Sequence, residues 1–237
     1  MHKLTTNILC GFVPNRQKRK KLRIRLNNAK LIRKCTDFVK TFSDKKHPNI
    51  KLQYGFRCAN IVISIDDKYV FKFPIKDNGY DIANREKRIT DALRKISPIH
   101  IPEMEIIDFD GMAVRKYEFI NGVGFHGLDR KTQNEHADKI AKQLARFLYT
   151  VGTADPVTIR DLKPKKTLKP SIMFGWNQND LWDNFIMDPK TFDIIGIIDW
   201  EDAGFNDFYI CFTGGTGNAN VRTALLREYI KLVRSEK

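Results

Sequence analysis

Apolar positions along the chain fall into two alternating regimes. Residues 60–65 and 69–73 alternate in the manner of strands and are joined by Asp66-Asp67-Lys68, which predicts a hairpin. Residues 80–96 switch to helical spacing, with Ala83, Ile89, Leu93 and Ile96 on one face and Ser97-Pro98 as the stop. A second hairpin is predicted from 104–108 and 113–120 around Asp110-Gly111. After Asn121-Gly122 the spacing turns helical again at 132–150, where Ile140, Leu144, Phe147 and Leu148 share a face. A Lys/Pro-rich stretch, 155–170, reads as a loop, and 185–198 as a hairpin turning at Asp188-Pro189-Lys190-Thr191. A last helix, 219–237, turns Val221, Leu225, Tyr229, Leu232 and Val233 inward. The sum is an α+β chain with a strand-rich first part and a helical second part.

Composition and charge add an N-terminal arm to this picture. A chain of 237 residues, 42% hydrophobic, can bury a sizeable core. Eleven basic residues and no acid lie in 1–36, which leaves 31 basic against 28 acidic residues in the remainder. The net charge of +14 therefore belongs to the arm, which should seek phosphates of lipid or nucleic acid. Leu22, Leu26, Ala29, Ile32, Cys35, Phe38, Val39 and Phe42 recur within it at helical spacing and predict one basic amphipathic helix. Such a helix either lies on an anionic membrane, gaining about 1 kcal/mol per basic residue, or packs its stripe on the domain. Cys10, Cys35, Cys58 and Cys211 form no C-x-x-C pair, so neither a disulfide framework nor a zinc site is expected and a reducing cytoplasm is the natural compartment. No run approaches the roughly 18 apolar residues of a spanning helix.

The chemistry concentrates in residues 176–205, which read Trp-Asn-Gln-Asn-Asp-Leu-Trp-Asp-Asn-Phe, then the hairpin, then Ile198-Asp199-Trp200-Glu201-Asp202-Ala203. Phosphoryl transfer to a hydroxyl needs an acid that orients the acceptor and takes its proton, and oxygen ligands that hold magnesium against phosphates. Asp180 is the candidate base. Asn184 precedes the hairpin and Asp199 leaves its second strand, so both can face one site.

This stretch resembles the catalytic segment of the aminoglycoside phosphotransferase and choline kinase superfamily, H-G-D-x-x-x-x-N followed by a hairpin and I-D-W/F-E-x-A. The resemblance implies a two-lobed protein-kinase-like fold, a strand-rich N-lobe with a reduced helical C-lobe, and an ATP- and magnesium-dependent kinase with Asn184 and Asp199 as metal ligands. Asn177 or Gln178 stands where the family has histidine. Asp180 precedes Asn184 by four positions where the family has five, so either the loop is one residue short or Asn179 fills the catalytic slot and the protein is an inactive pseudokinase.

Further roles follow from the same resemblance. Lys72 takes the place of the strand lysine on the α- and β-phosphates, with Glu86 as its ion-pair partner. Arg57, in the glycine-poor loop 54–60, adds charge at the phosphates, and the connection 117–120, through Glu118 and Ile120, holds the base. Asp207 would brace the catalytic loop. Arg160-Asp161-Leu162-Lys163-Pro164 matches the protein-kinase catalytic loop more literally, and a protein kinase is the alternative it favours; Lys166, however, stands where a metal-binding asparagine is needed. Lys163, Lys165, Lys166 and Lys169 are otherwise candidates for an anionic acceptor. Residues 1–45 form the arm, 46–120 the N-lobe and 121–237 the C-lobe.

The run 11–23, Gly-Phe-Val-Pro-Asn-Arg-Gln-Lys-Arg-Lys-Lys-Leu-Arg, resembles a leader of bacterial surface-polysaccharide enzymes. It points to a sugar or lipid-linked glycan acceptor, such as lipopolysaccharide, at the inner membrane face, with a cytoplasmic, peripheral location and no nucleic-acid partner. The family has more chain after the position of Ala219, which argues against an aminoglycoside acceptor.

Overall fold

A computed structural model describes residues 10, 12–53, 59–75, 77–164, 172–213 and 217–235. The chain divides into two compact units, Met1–Ala83 with Glu105–Phe119 and Asn84–Met104 with Ile120–Lys237.

The first unit is built on a five-stranded sheet. Its strands are β1 (Ile50–Gln53), β2 (Asn60–Ile65), β3 (Tyr69–Pro74), β4 (Met104–Phe109) and β5 (Met112–Glu118), in the order β1-β2-β3-β5-β4. Both predicted hairpins form. Asp66 and Asp67 have φ of 54° and 53°, and Asp110 and Gly111 have 53° and 74°. Two successive residues of positive φ give the turn whose twist matches that of the flanking strands, and Asp and Gly enter that region at low cost. Alternation sorts the two faces: Ile61, Ile63, Ile65, Phe71, Phe73 and Val114 are fully buried on one. Val62, Lys72 and Arg115 are cross-strand partners on the other.

The arm is two helices, not one. α1 (Arg16–Asn27) ends at Asn28, whose backbone N–H and side-chain Nδ2 both donate to the Ile24 carbonyl at 2.9 Å, and α2 (Ala29–Lys40) starts from that break. α2 buries Cys35 and Val39 against the sheet, and the Phe38 ring stacks on Phe109 at 4.3 Å between centroids. The apolar stripe therefore serves the core from Leu31 onward. α1 buries no residue, and it carries seven basic side chains with no acid.

α3 (Tyr80–Leu93) follows Gly79, and its last turn continues to the Ser97 N–H bonded to the Leu93 carbonyl. The core of the second unit is the pairing of α5 (Ala137–Gly152) with α7 (Ala219–Ser235) through Ile140, Leu144, Leu148, Val221, Leu225 and Tyr229. Burying large apolar side chains of this kind contributes about 1.5 to 3 kcal/mol each. The single helix expected over 132–150 is interrupted at His136, which separates α4 (Arg130–Glu135) from α5; the His136 ring stacks on Phe192. Two small sheets complete the unit. β7 (Phe174–Asn177) pairs antiparallel with β10 (Gly204–Asp207), and β6 (Val123–Gly124), β8 (Phe185–Met187) and β9 (Ile194–Ile197) form the other. β7 approaches α5 so closely that a Cβ on Gly175 would lie 2.0 Å from the Gly152 carbonyl oxygen, which requires glycine there. The short helix α6 (Ile210–Thr213) follows β10, with Asp207 Oδ1 accepting from the Tyr209 N–H at 2.8 Å.

Candidate active site

Strand β7 ends at Asn177 and delivers the chain into the polar run Gln178-Asn179-Asp180. A 3-10 turn over Leu181–Asp183 then leads to Asn184 and β8. The turn is anchored beneath by Trp182, whose indole N–H donates to the Cys211 carbonyl at 3.2 Å. Asn184 is buried; its Nδ2 donates to the Asp180 carbonyl at 2.8 Å, and its own carbonyl accepts from the Ile198 N–H at 2.8 Å. With Phe185 paired to Ile197, this bond puts Asn184 beside the residue before Asp199. The backbones of Asp180, Asn184 and Asp199 are thus linked through the Asn184–Asp180, Ile198–Asn184 and Gln178–Asp199 bonds.

Asp199 has φ of 60°, in the left-handed region that Asp enters more readily than most residues but that, away from a tight hairpin turn, its surroundings must hold. They do so through the loop backbone. Gln178 Nε2 donates to the carbonyls of Ile198 (3.1 Å) and Asp199 (2.6 Å), and Asn179 Nδ2 to that of Asp202 (2.6 Å). Arg85 on α3 donates to the carbonyls of Glu201 (3.4 Å) and Ala203 (2.5 Å). Glu86, fully buried one position on, accepts the Trp200 N–H at 3.2 Å. None of these four anchoring roles was readable in the sequence, because each joins residues that come together only through the fold. The one local signal was a run of polar amides, Asn177 to Asn179, directly after the apolar end of a strand.

The two candidate catalytic slots differ in what their side chains do. Asn179 is bound to the Asp202 carbonyl, with φ of 72°, whereas the Asp180 carboxylate is exposed and its negative charge raises the Cys211 thiol pKa. Burial is the larger cause of that rise, which takes Cys211 to about 12. His126 stands 2.9 Å from Asp183 and bonds the same turn from its outer side.

The oxygens offered by Asn184 and Asp199 are hard donors of the kind magnesium takes. Among the described residues no group of three or more His, Cys, Asp or Glu forms a metal site by itself, so a magnesium ion here would complete its shell with phosphate oxygens and water.

In the first unit Lys72 lies on β3, 9% exposed, with its ammonium 5.5 Å from the Tyr117 ring centroid. Beside it Arg115 donates to Asn60 Oδ1 at 2.7 Å. Glu118 is the exposed last residue of β5, paired with Tyr69. Ile120 packs against β9, where a Cβ on Gly196 would lie 2.3 Å from its Cδ1. Arg57 lies outside the described residues, as do Lys165, Lys166 and Lys169.

The literal kinase-like run is accounted for otherwise. Arg160 and Asp161 lie in a 3-10 turn over Val157–Leu162. The Asp161 carboxylate is held bidentate by Arg88 of α3 at 2.5 and 3.0 Å, which lowers its pKa, and Arg160 pairs with Asp155. Lys163 bonds Asp155 at 2.7 Å and covers the Phe205 ring. Asp161 therefore fastens a surface turn to α3, in keeping with a loop rather than a catalytic role for this run.

No protein-family model matches the chain, and no sequence of a characterised protein does. Its fold does match solved structures. A GDP and kanamycin complex of APH(2")-IIia is 21% identical, with a TM-score of 0.64 over 84% of this chain and 85% of that one. The streptomycin-ATP ternary complex of APH(2")-IIa is 15% identical, with a TM-score of 0.59 over 83% and 81%. The macrolide 2'-phosphotransferase MphH of Brachybacterium faecium is 12% identical, with a TM-score of 0.51 over 77% of each chain. The likeness spans most of each solved chain. The chain has the protein-kinase-like fold of the aminoglycoside and macrolide phosphotransferases, as the resemblance of residues 176–205 led us to expect.

Proposed function

We propose that this protein is a magnesium-dependent phosphotransferase that moves the terminal phosphoryl group of a nucleoside triphosphate to a hydroxyl of a small molecule. The observation that carries this reading is the joining of Asp180, Asn184 and Asp199 by the Asn184–Ile198 and Gln178–Asp199 bonds, on a fold whose solved examples include complexes with GDP and ATP. In the reaction Asp180 accepts the proton of the acceptor hydroxyl as the oxygen bonds to the γ-phosphorus. The bond from that phosphorus to the bridging β,γ-oxygen breaks, and a nucleoside diphosphate leaves. Asn184 and Asp199 would hold magnesium, which when bound neutralises the phosphate oxygens. Lys72, buried on β3, would supply a cation for the α- and β-phosphates, and Glu118 and Ile120 would contact the base.

For the acceptor we favour a saccharide, free or linked to a lipid of the bacterial surface. The seven cations of α1, with no acid and no buried side chain, support a station on the anionic inner face of the membrane. A pseudokinase is the second reading, because Asn179 stands at the family spacing from Asn184. Transfer of labelled γ-phosphate from ATP or GTP is the test, run against kanamycin and lipopolysaccharide core oligosaccharide with and without magnesium. Magnesium-dependent labelling of a saccharide is the expected result. A protein that binds neither nucleotide would overturn the enzyme reading. Vesicles rich in anionic lipid should retain the protein at low salt and release it at high salt, and stronger retention on RNA would contradict the membrane station.

A further inference from the structure

Gln is a residue type found mostly at the surface, yet Gln178 is 1% exposed. Its carboxamide offers one acceptor oxygen and two donor hydrogens on a single rigid plane, and all three directions are engaged. Oε1 accepts from the Asp180 N–H at 2.8 Å, while Nε2 donates to the carbonyls of Ile198 at 3.1 Å and Asp199 at 2.6 Å. One side chain thus grips the backbone of the residue that takes the acceptor proton and the backbone of the residue that holds the metal.

The neighbouring anchors act elsewhere: Asn179 on Asp202, Arg85 on Glu201 and Ala203, Glu86 on Trp200. Asp199 has the left-handed backbone that surroundings must enforce, and the 2.6 Å bond from Gln178 reaches the carbonyl of that same residue. Gln178 also stands two positions before Asp180, where the H-G-D pattern has histidine, which agrees with Asp180 as the acid of a loop one residue short.

We propose that Gln178 is the positioning residue that sets Asp180 against Asp199, a role that rests on the phosphotransferase reading. Displacing a reacting group by about 1 Å costs on the order of 100-fold in rate, and residues that orient metal ligands typically change metal affinity 10- to 100-fold. Gln178→Glu keeps the acceptor toward Asp180 and loses both donors toward 198 and 199. Gln178→His restores a ring N–H of similar reach.

The test measures magnesium-dependent ATP hydrolysis, as kcat and half-saturating magnesium, for the wild type and both variants, with thermal midpoints recorded. We expect Gln178→Glu to lower kcat at least tenfold and to raise half-saturating magnesium about tenfold. Gln178→His should recover both to within about threefold. If Gln178→Glu keeps the wild-type magnesium dependence, or if both variants lose activity with that dependence unchanged, Gln178 only supports the fold and the proposal falls. A wild type that neither binds nor hydrolyses ATP or GTP defeats the phosphotransferase reading first, and the positioning role with it.

Discussion

Asp161 and Asp180 each begin an Asp-Leu pair and each stands at a short 3-10 turn, but they live in different surroundings. Asp161 belongs to the run Arg160-Asp161-Leu162-Lys163-Pro164, which matches part of a kinase signature more literally, and its carboxylate is bound by Arg88. Asp180 belongs to a run missing the motif histidine and one residue of spacing, yet its backbone is bonded by Gln178 and Asn184, two side chains of the segment that meets Asp199. Chemistry of this kind depends on a scaffold that fixes several groups at once, which a short partial motif does not supply.

The comparison can be broken most severely at the metal. Asp199→Ala should reduce magnesium-dependent ATP hydrolysis about 10³-fold or more, because it removes the carboxylate proposed to hold magnesium. Equal hydrolysis by this variant would show that the hairpin does not carry the metal.

Next in size is the scaffold beneath Asp180. Gly175→Ala would drive a Cβ into the Gly152 backbone at 2.0 Å, and a loss of about 3 kcal/mol in urea unfolding is expected. A small loss would mean that β7 can move away from α5 without consequence.

A smaller effect locates the Asp180 charge. With its pKa raised to about 12, chiefly by burial and then by Asp180, the Cys211 thiol stays protonated at pH 8, so iodoacetamide should leave it unmodified in the native protein. Asp180→Asn should lower that pKa, since a negative neighbour disfavours the thiolate. Rapid native labelling would contradict the burial of this helix.

The smallest effect belongs to α1. Changing Lys20, Lys21 and Arg23 to Glu should leave the thermal midpoint within about 2 °C, because no side chain there is buried, while abolishing retention on anionic vesicles.

Much of the scaffold was legible because its signals are local. Period-two alternation ending in Asp66-Asp67 or Asp110-Gly111 states both a strand and the turn that closes it. The hairpin at 185–198 was legible for the same reason, its strands pairing Phe185 with Ile197. Helix breaks were not legible: Asn28 and His136 interrupt no apolar stripe, so periodicity runs through them. The roles of Gln178, Arg85 and Glu86 were hidden for a different reason. Each is a contact to a backbone carbonyl or N–H, which carries no residue identity, and Glu86 meets Trp200 across 114 positions. The Lys72 strand was recognisable by order alone, whereas the burial of its side chain came only with the fold.

The central claim is that Asp180, and neither Asp161 nor Asn179, takes the acceptor's proton. Magnesium-dependent ATP hydrolysis by Asp180→Ala, Asp161→Ala and Asn179→Ala, measured side by side with the wild type, tests it most directly. The account predicts a loss of about 10² to 10⁴-fold for Asp180→Ala, a change within about twofold for Asp161→Ala, and a loss of only several-fold for Asn179→Ala through the Asp202 bond. Hydrolysis that survives in Asp180→Ala and disappears in Asp161→Ala would contradict it.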